Sequence, residues 1–148
     1  MLNPRDIETA VLAAINAPPL NVYCKNFKVW ESEFADEGAL DRFAGTFPVC
    51  FVYWGGFRRE EAYPQQRYWD NSRVSVIVAD KNLRGIDQAK NNAGGAYDLI
   101  KDVDGLLQGN NLGGIVEPLT GIGATPLRIN KSMAVYGLDY EVKVLNPQ

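Results

Sequence analysis

Asp139-Tyr140-Glu141-Val142-Lys143 is the stretch whose residue types come nearest to a catalytic motif. An acid followed by Glu-x-Lys on one strand face is how restriction-type nucleases hold Mg²⁺ with carboxylates and steady charge with a lysine. No convincing partner acid precedes it on an adjoining strand, and motifs this short match by chance. An exposed strand face alternating acids with lysine explains the same residues. Asp98, Lys101, Asp102 and Asp104 cluster at helical spacing, but Lys101 interleaves the carboxylates and the apolar face lies elsewhere, so they read as a solvated helix face. The pairs Gly55-Gly56, Gly94-Gly95 and Gly113-Gly114 do not sit between a strand and a helix in a Walker or dinucleotide pattern. Histidine is absent altogether, which removes Ser-His-Asp and Cys-His nucleophiles and His-ligated zinc. The sequence therefore predicts no catalysis, no metal and no cofactor.

The richer constellation is not catalytic. Tyr53, Trp54, Phe57, Arg58, Arg59, Tyr63, Arg67, Tyr68 and Trp69 interleave aromatic rings with arginine across a stretch lacking a clean period. That alphabet serves nucleic-acid contact and protein interface hot spots alike. Glu60, Glu61 and Asp70 dilute the basic charge, which favours a protein partner over phosphate. Phe57, Arg58, Arg59, Tyr63, Arg67, Tyr68 and Trp69 are the candidate interface residues, and a loop folded back on its own domain is the alternative.

The 148 residues carry a net charge of −3, with 46% apolar and 22% charged residues. That is a globular composition, enough for one domain, and not that of a basic nucleic-acid binder. Cys24 and Cys50 are too few for a disulfide framework or a Cys-rich metal site, and each sits in an apolar stretch as a small hydrophobe. Met1 to Ala10 lacks the apolar core of a signal peptide, and no apolar run approaches the roughly 20 residues that span a bilayer. A chain kept in a reducing cytoplasm, or assembled there into something larger, is expected, with no membrane partner.

The elements that must position these residues follow from periodicity. Asn3 caps and Pro4 opens a first helix whose Ile7, Val11, Ala14 and Ile15 share a face, and Pro18-Pro19 ends it. A strand is expected from Val22 to Trp30 and a short helix from Gly38 to Ala44. Pro48 to Trp54 reads as a central strand buried on both faces and stopped by Gly55-Gly56. A long loop or protruding hairpin from Phe57 to Asn71 leads to a strand over Arg73 to Ala79. The longest helix runs from about Ile86 to Gln108, with Gly94-Gly95 marking either close packing or a break. Leu112 to Thr125 leaves room for a short strand at most, and a hairpin of Leu127 to Asn130 and Met133 to Leu145 closes the chain. The fold class is α+β: one domain, a mostly antiparallel sheet of four or five strands, and two main helices on one face. Val49, Phe51, Val74, Val76, Val78, Ile100, Val103 and Leu138 are expected in one core between the sheet and the long helix.

Three groups of stretches carry a resemblance. Val78-Ala79-Asp80-Lys81-Asn82-Leu83-Arg84-Gly85, Gly95-Ala96-Tyr97-Asp98-Leu99-Ile100-Lys101-Asp102-Val103 and Leu106-Leu107-Gln108-Gly109 form the first. Val116-Glu117-Pro118-Leu119 with Ala134-Val135-Tyr136-Gly137-Leu138-Asp139-Tyr140-Glu141 form the second, and Phe47-Pro48-Val49-Cys50-Phe51-Val52-Tyr53 with its glycines the third. In register over nearly the whole chain, residues 1–148, they resemble the small tail protein family of Mu-like phages and prophages. The resemblance implies a tail terminator or tail completion protein: a hexameric ring that caps the head-proximal end of the tail tube. Its implied partners are copies of itself, the tube protein and a neck or head–tail connector protein, with DNA passing through the lumen. The implied location is the virion, after assembly in the host cytoplasm. The segment from Phe57 to Trp69 does not fit the family pattern. A tube or head–tail joining component, or a metal-dependent nuclease built on Asp139, Glu141 and Lys143, are the alternatives.

Overall fold

A computed structural model of the chain describes residues 2–30, 47–62, 67–82, 85–92, 94–129 and 132–146. Helix α1 spans Pro4–Ile15 and begins as its sequence dictates, with the Asn3 carboxamide accepting the Arg5 N–H at 2.9 Å. Ile7, Val11 and Ile15 are its buried stripe. The strand expected from Val22 is shorter than the sequence suggests. Leu20 is fully buried and its carbonyl accepts the Cys24 N–H at 2.9 Å, closing a one-turn helix, α2 (Leu20–Tyr23). Only β1 (Asn26–Val29) remains for the sheet, and it pairs in parallel with Val49 to Val52. The short helix expected at Gly38 to Ala44 lies outside the described residues.

Strands β2 (Val49–Ala62) and β3 (Arg67–Lys81) form an antiparallel hairpin. Val49, Cys50, Phe51 and Val52 are all fully buried, as a strand covered on both faces requires. Gly55-Gly56 does not stop β2. Trp54 pairs with Val74 and Phe57 with Ser72, so the two glycines oppose Arg73 alone in a bulge. Gly56 has φ +98°, which an L side chain rarely adopts, so glycine lets the strand absorb the extra residue and continue. The stretch from Phe57 to Asn71 is therefore the hairpin of the two forms the sequence allowed.

The expected long helix is two helices, α3 (Ile86–Asn91) and α4 (Ala96–Leu107), so Gly94-Gly95 marks a break. Gly94 has φ +78°, and a Cβ on Gly95 would lie 2.9 Å from the carbonyl oxygens of both Ala89 and Asn92. Backbone atoms cannot move aside cheaply. Gly95→Ala should therefore destabilise the chain by about 1–3 kcal/mol, although alanine favours helices, and urea denaturation measures it. A stabilising effect would show that the turn between the helices is misplaced.

After a 3₁₀ turn at Leu112–Gly114, β4 (Thr120–Ile129) and β5 (Met133–Asn146) complete the sheet. The strand before the last is much longer than Leu127 to Asn130. Ile122 and Leu127 are bulged out of register, and nearly all of β4 is solvent-exposed, so no alternation betrays it in the sequence. The five strands run in the order β1-β2-β3-β5-β4, a mixed and mostly antiparallel sheet.

Helices α1 and α4 cover one face, where Ile7, Val11, Ile15, Leu99, Val103 and Leu107 pack on Val52, Val74, Val76, Val78, Leu138 and Tyr140. Val49 and Phe51 are not in that core. They point the other way, into a second cluster with Ile77, Ala79, Met133 and Val135, because alternate residues of a strand face opposite sides. Ile100 is only partly buried, and Leu99 takes the fully buried position. Among the described residues, no helix is long and apolar enough to cross a membrane.

Candidate functional site

Beyond the bulge, β2 and β3 carry the aromatic and arginine residues outward. Among the described residues, none of β2 past Trp54 belongs to a buried hydrophobic cluster. Register fixes which side chains meet: Arg59 opposes Asp70, Glu61 opposes Tyr68 and Glu60 opposes Trp69. One side of the hairpin thus presents Phe57, Arg59, Tyr68 and Asp70, the other Arg58, Glu60 and Trp69.

Arg59 organises the first side. Its Nε donates to Asp70 Oδ1 at 2.8 Å and its Nη2 to Oδ2 at 3.3 Å, a two-point ion pair. The guanidinium also lies 5.6 Å from the Phe57 ring centroid and 5.8 Å from that of Tyr68, within cation–π range. The arginine side chain is 49% exposed while that of Asp70 is 2% exposed, so an anchored carboxylate holds a solvent-facing cation. Hydrogen bonding and the charge of Asp70 raise the basicity of Arg59 further. Phe57 is 43% exposed and stacks at a tilt on Trp54, 6.3 Å between centroids.

The residues proposed from sequence separate accordingly. Phe57, Arg59 and Tyr68 come together; Arg58 is exposed on the opposite side, and Trp69 is partly buried. Tyr63 lies outside the described residues, as does the side chain of Arg67, whose backbone pairs with Ala62. A groove of about 480 Å³ runs beside the bulge, lined by Gly55, Gly56, Arg58, Arg73, Ile122 and Glu141 among others. Asp70 is the residue that sequence reasoning undervalued. It counts there only as dilution of basic charge, whereas cross-strand register makes it the anchor of Arg59.

The two acidic constellations are occupied otherwise. Asp139 accepts a hydrogen bond from the Ser75 hydroxyl, and Glu141 pairs with Lys143 at 3.6 Å. On α4 the acids are not merely a solvated face. Asp98 accepts the Gly94 N–H at 2.8 Å, Asp102 accepts the Tyr23 hydroxyl, and Asp104 accepts the Tyr140 hydroxyl at 2.8 Å. Asp102 and Asp104 tie the helix to α2 and β5, and Asp98 ties it to the turn that precedes it. Among the described residues, no three potential ligands converge on a metal position.

No curated protein matches the chain. A family model described as Bacteriophage Mu, Gp37 matches residues 5–144, and with that match running from α1 through β5 the chain belongs to this bacteriophage Mu Gp37 family.

Proposed function

We propose that the chain is a tail terminator: a ring of identical subunits, hexameric in number, capping the head-proximal end of a phage tail tube and meeting the neck. Membership of a bacteriophage Mu family supports a structural part of a phage particle. The observation that carries the interface assignment is the solvent-facing cluster of Phe57, Arg59 and Tyr68, pinned by Asp70. Aromatic and arginine side chains held in place before contact lose little rotamer entropy on binding, which is what interface anchors need. The surface serves a protein neighbour, either the adjacent copy or the tube or neck protein. A net acidic chain is compatible with DNA passing through the lumen without being held. No catalytic role is assigned, since the acids that could have held a metal serve as internal hydrogen-bond acceptors or pair with a lysine.

Deleting residues 58–66 removes the outer part of β2 and the residues that join it to β3, Arg58 and Arg59 included, and should leave a domain that is folded by circular dichroism. Phage carrying that variant should make tails of irregular length that fail to join heads, as seen by electron microscopy. Tails of normal length that join heads would rule the hairpin out as a contact. Open-ended tubes formed by the purified chain alone would make it a tube component instead.

A further inference from the structure

Two isolated buried thiols need no explanation beyond packing, but Cys24 and Cys50 are not isolated. Their Sγ atoms lie 3.9 Å apart, both residues are fully buried, and both are free thiols. Cys24 directly follows α2, and Cys50 is the second residue of β2. The Cys24 Sγ also lies 3.5 Å from the Pro48 carbonyl oxygen and 3.7 Å from that of Asn26. Backbone on both sides therefore positions the sulfur against its neighbour. Two thiols without a third ligand do not close a zinc site, and the chain has no histidine to complete one. To bond, the two sulfurs must close from 3.9 Å to about 2.05 Å.

We propose that Cys24 and Cys50 are a redox site that forms a reversible intrachain disulfide with hydrogen peroxide, tying the end of α2 to the start of β2. The two thiols are not equivalent. The sulfur–sulfur contact, in which either thiol can donate, favours ionisation of Cys24 and, together with burial, disfavours that of Cys50. Taking Cys24, whose ionisation that contact favours, as the attacking sulfur gives one balanced course. The Cys24 sulfur bonds to one peroxide oxygen, the O–O bond breaks, and the departing hydroxide takes up the proton that Cys24 released. The product is a Cys24 sulfenic acid and water. The Cys50 sulfur then attacks the Cys24 sulfur, the S–O bond breaks, and hydroxide leaves with the Cys50 proton as a second water. Two thiols lose two electrons to one peroxide. A small oxidant suits a buried site that local fluctuation opens only briefly. The site does not depend on what the chain assembles with.

The test uses the full chain, treated with hydrogen peroxide under native conditions, then denatured and alkylated with iodoacetamide. Intact mass should show both alkylation sites lost and the chain two hydrogens lighter, with full recovery after dithiothreitol. Peptide mapping should place the link between Cys24 and Cys50 of one chain. The oxidised protein should melt roughly 5–10 °C higher, because the crosslink constrains the unfolded chain. Cys50→Ala should leave Cys24 trapped at the sulfenic acid or further oxidised, with no link. Two alkylatable thiols after peroxide, sulfinic acid in place of a link in the unmodified chain, a link between chains, or a lowered Tm would each overturn the proposal.

Discussion

Leu99→Ala should cost about 3 kcal/mol of folding stability, whereas Ile100→Ala, one residue further along α4, should cost about 1 kcal/mol. Leu99 is fully buried between α4 and the sheet, and its truncation leaves a cavity walled by Val103 and the strand residues of the same cluster. Ile100 is only partly buried and borders an open groove with Lys101, Asp104 and Gln108, where water replaces the missing atoms. For a domain of this size the difference amounts to several degrees in Tm. Thermal denaturation of the two variants side by side measures it. Equal losses, or a larger loss at Ile100, would show that α4 is rotated from the placement described.

That pair also shows where sequence reasoning slips. Treating residues 86–108 as one continuous helix puts Ile86, Ala89, Ala93, Tyr97, Ile100, Val103 and Leu107 on a single stripe. The break at Gly94-Gly95 resets the phase. After it, Ala96, Leu99, Val103 and Leu107 form the buried stripe, and Tyr97 is 46% exposed. Val103 and Leu107 satisfy both phases, which is why the error is invisible from the C-terminal half of the helix. Where alternation is strong and uninterrupted, the reading holds. Val74, Val76 and Val78 face the helices, as do Leu138, Tyr140 and Val142. Where a bulge inserts a residue, the period of two fails, and both the continuation of β2 and most of β4 go unread.

The candidate surface was visible in part. Residue types alone mark Phe57, Arg58, Arg59, Tyr63, Arg67, Tyr68 and Trp69 alike, because aromatic rings interleaved with arginine suit a contact surface. What they could not supply is register. Only the pairing of Arg59 with Asp70 across the hairpin shows that the cation is anchored from beneath, leaving its outer half exposed. It also shows that Arg59 already has its acid within the chain, so Arg58 is the described arginine of the set with no such acid assigned by register, opposing Asn71. The acids of α4 needed the same long-range information. No local pattern connects Asp104 to Tyr140, or Asp102 to Tyr23, elements that meet only after folding.

Those two contacts predict how the chain unfolds in alkali. Burial, then the hydrogen bond to Asp104 and its negative charge, make Tyr140 far harder to ionise than an ordinary tyrosine. Burial and Asp102 do the same to Tyr23, on a more exposed side chain. In the unfolded chain both phenols release their protons near pH 10. Below that pH the folded and unfolded states bind the same phenolic protons, and the contribution of the two contacts is fully present. Above it only the unfolded chain loses them, so stability falls as pH rises. The fall is about 1.4 kcal/mol per pH unit for a fully protected group such as Tyr140, and less for Tyr23, where solvent screens the effect. Urea denaturation at pH 8, 9, 10 and 11 should therefore give a flat limb to about pH 10 and a steep decline beyond it. Tyr140→Phe should lower stability by about 1 kcal/mol at pH 8 through the lost hydrogen bond, and should flatten the alkaline decline. Because the two effects have opposite signs, the variant should approach and then overtake the unaltered protein in alkali. An alkaline limb with the same slope in Tyr140→Phe and in the unaltered chain would mean that the Tyr140 hydroxyl is not protected by Asp104 and the core.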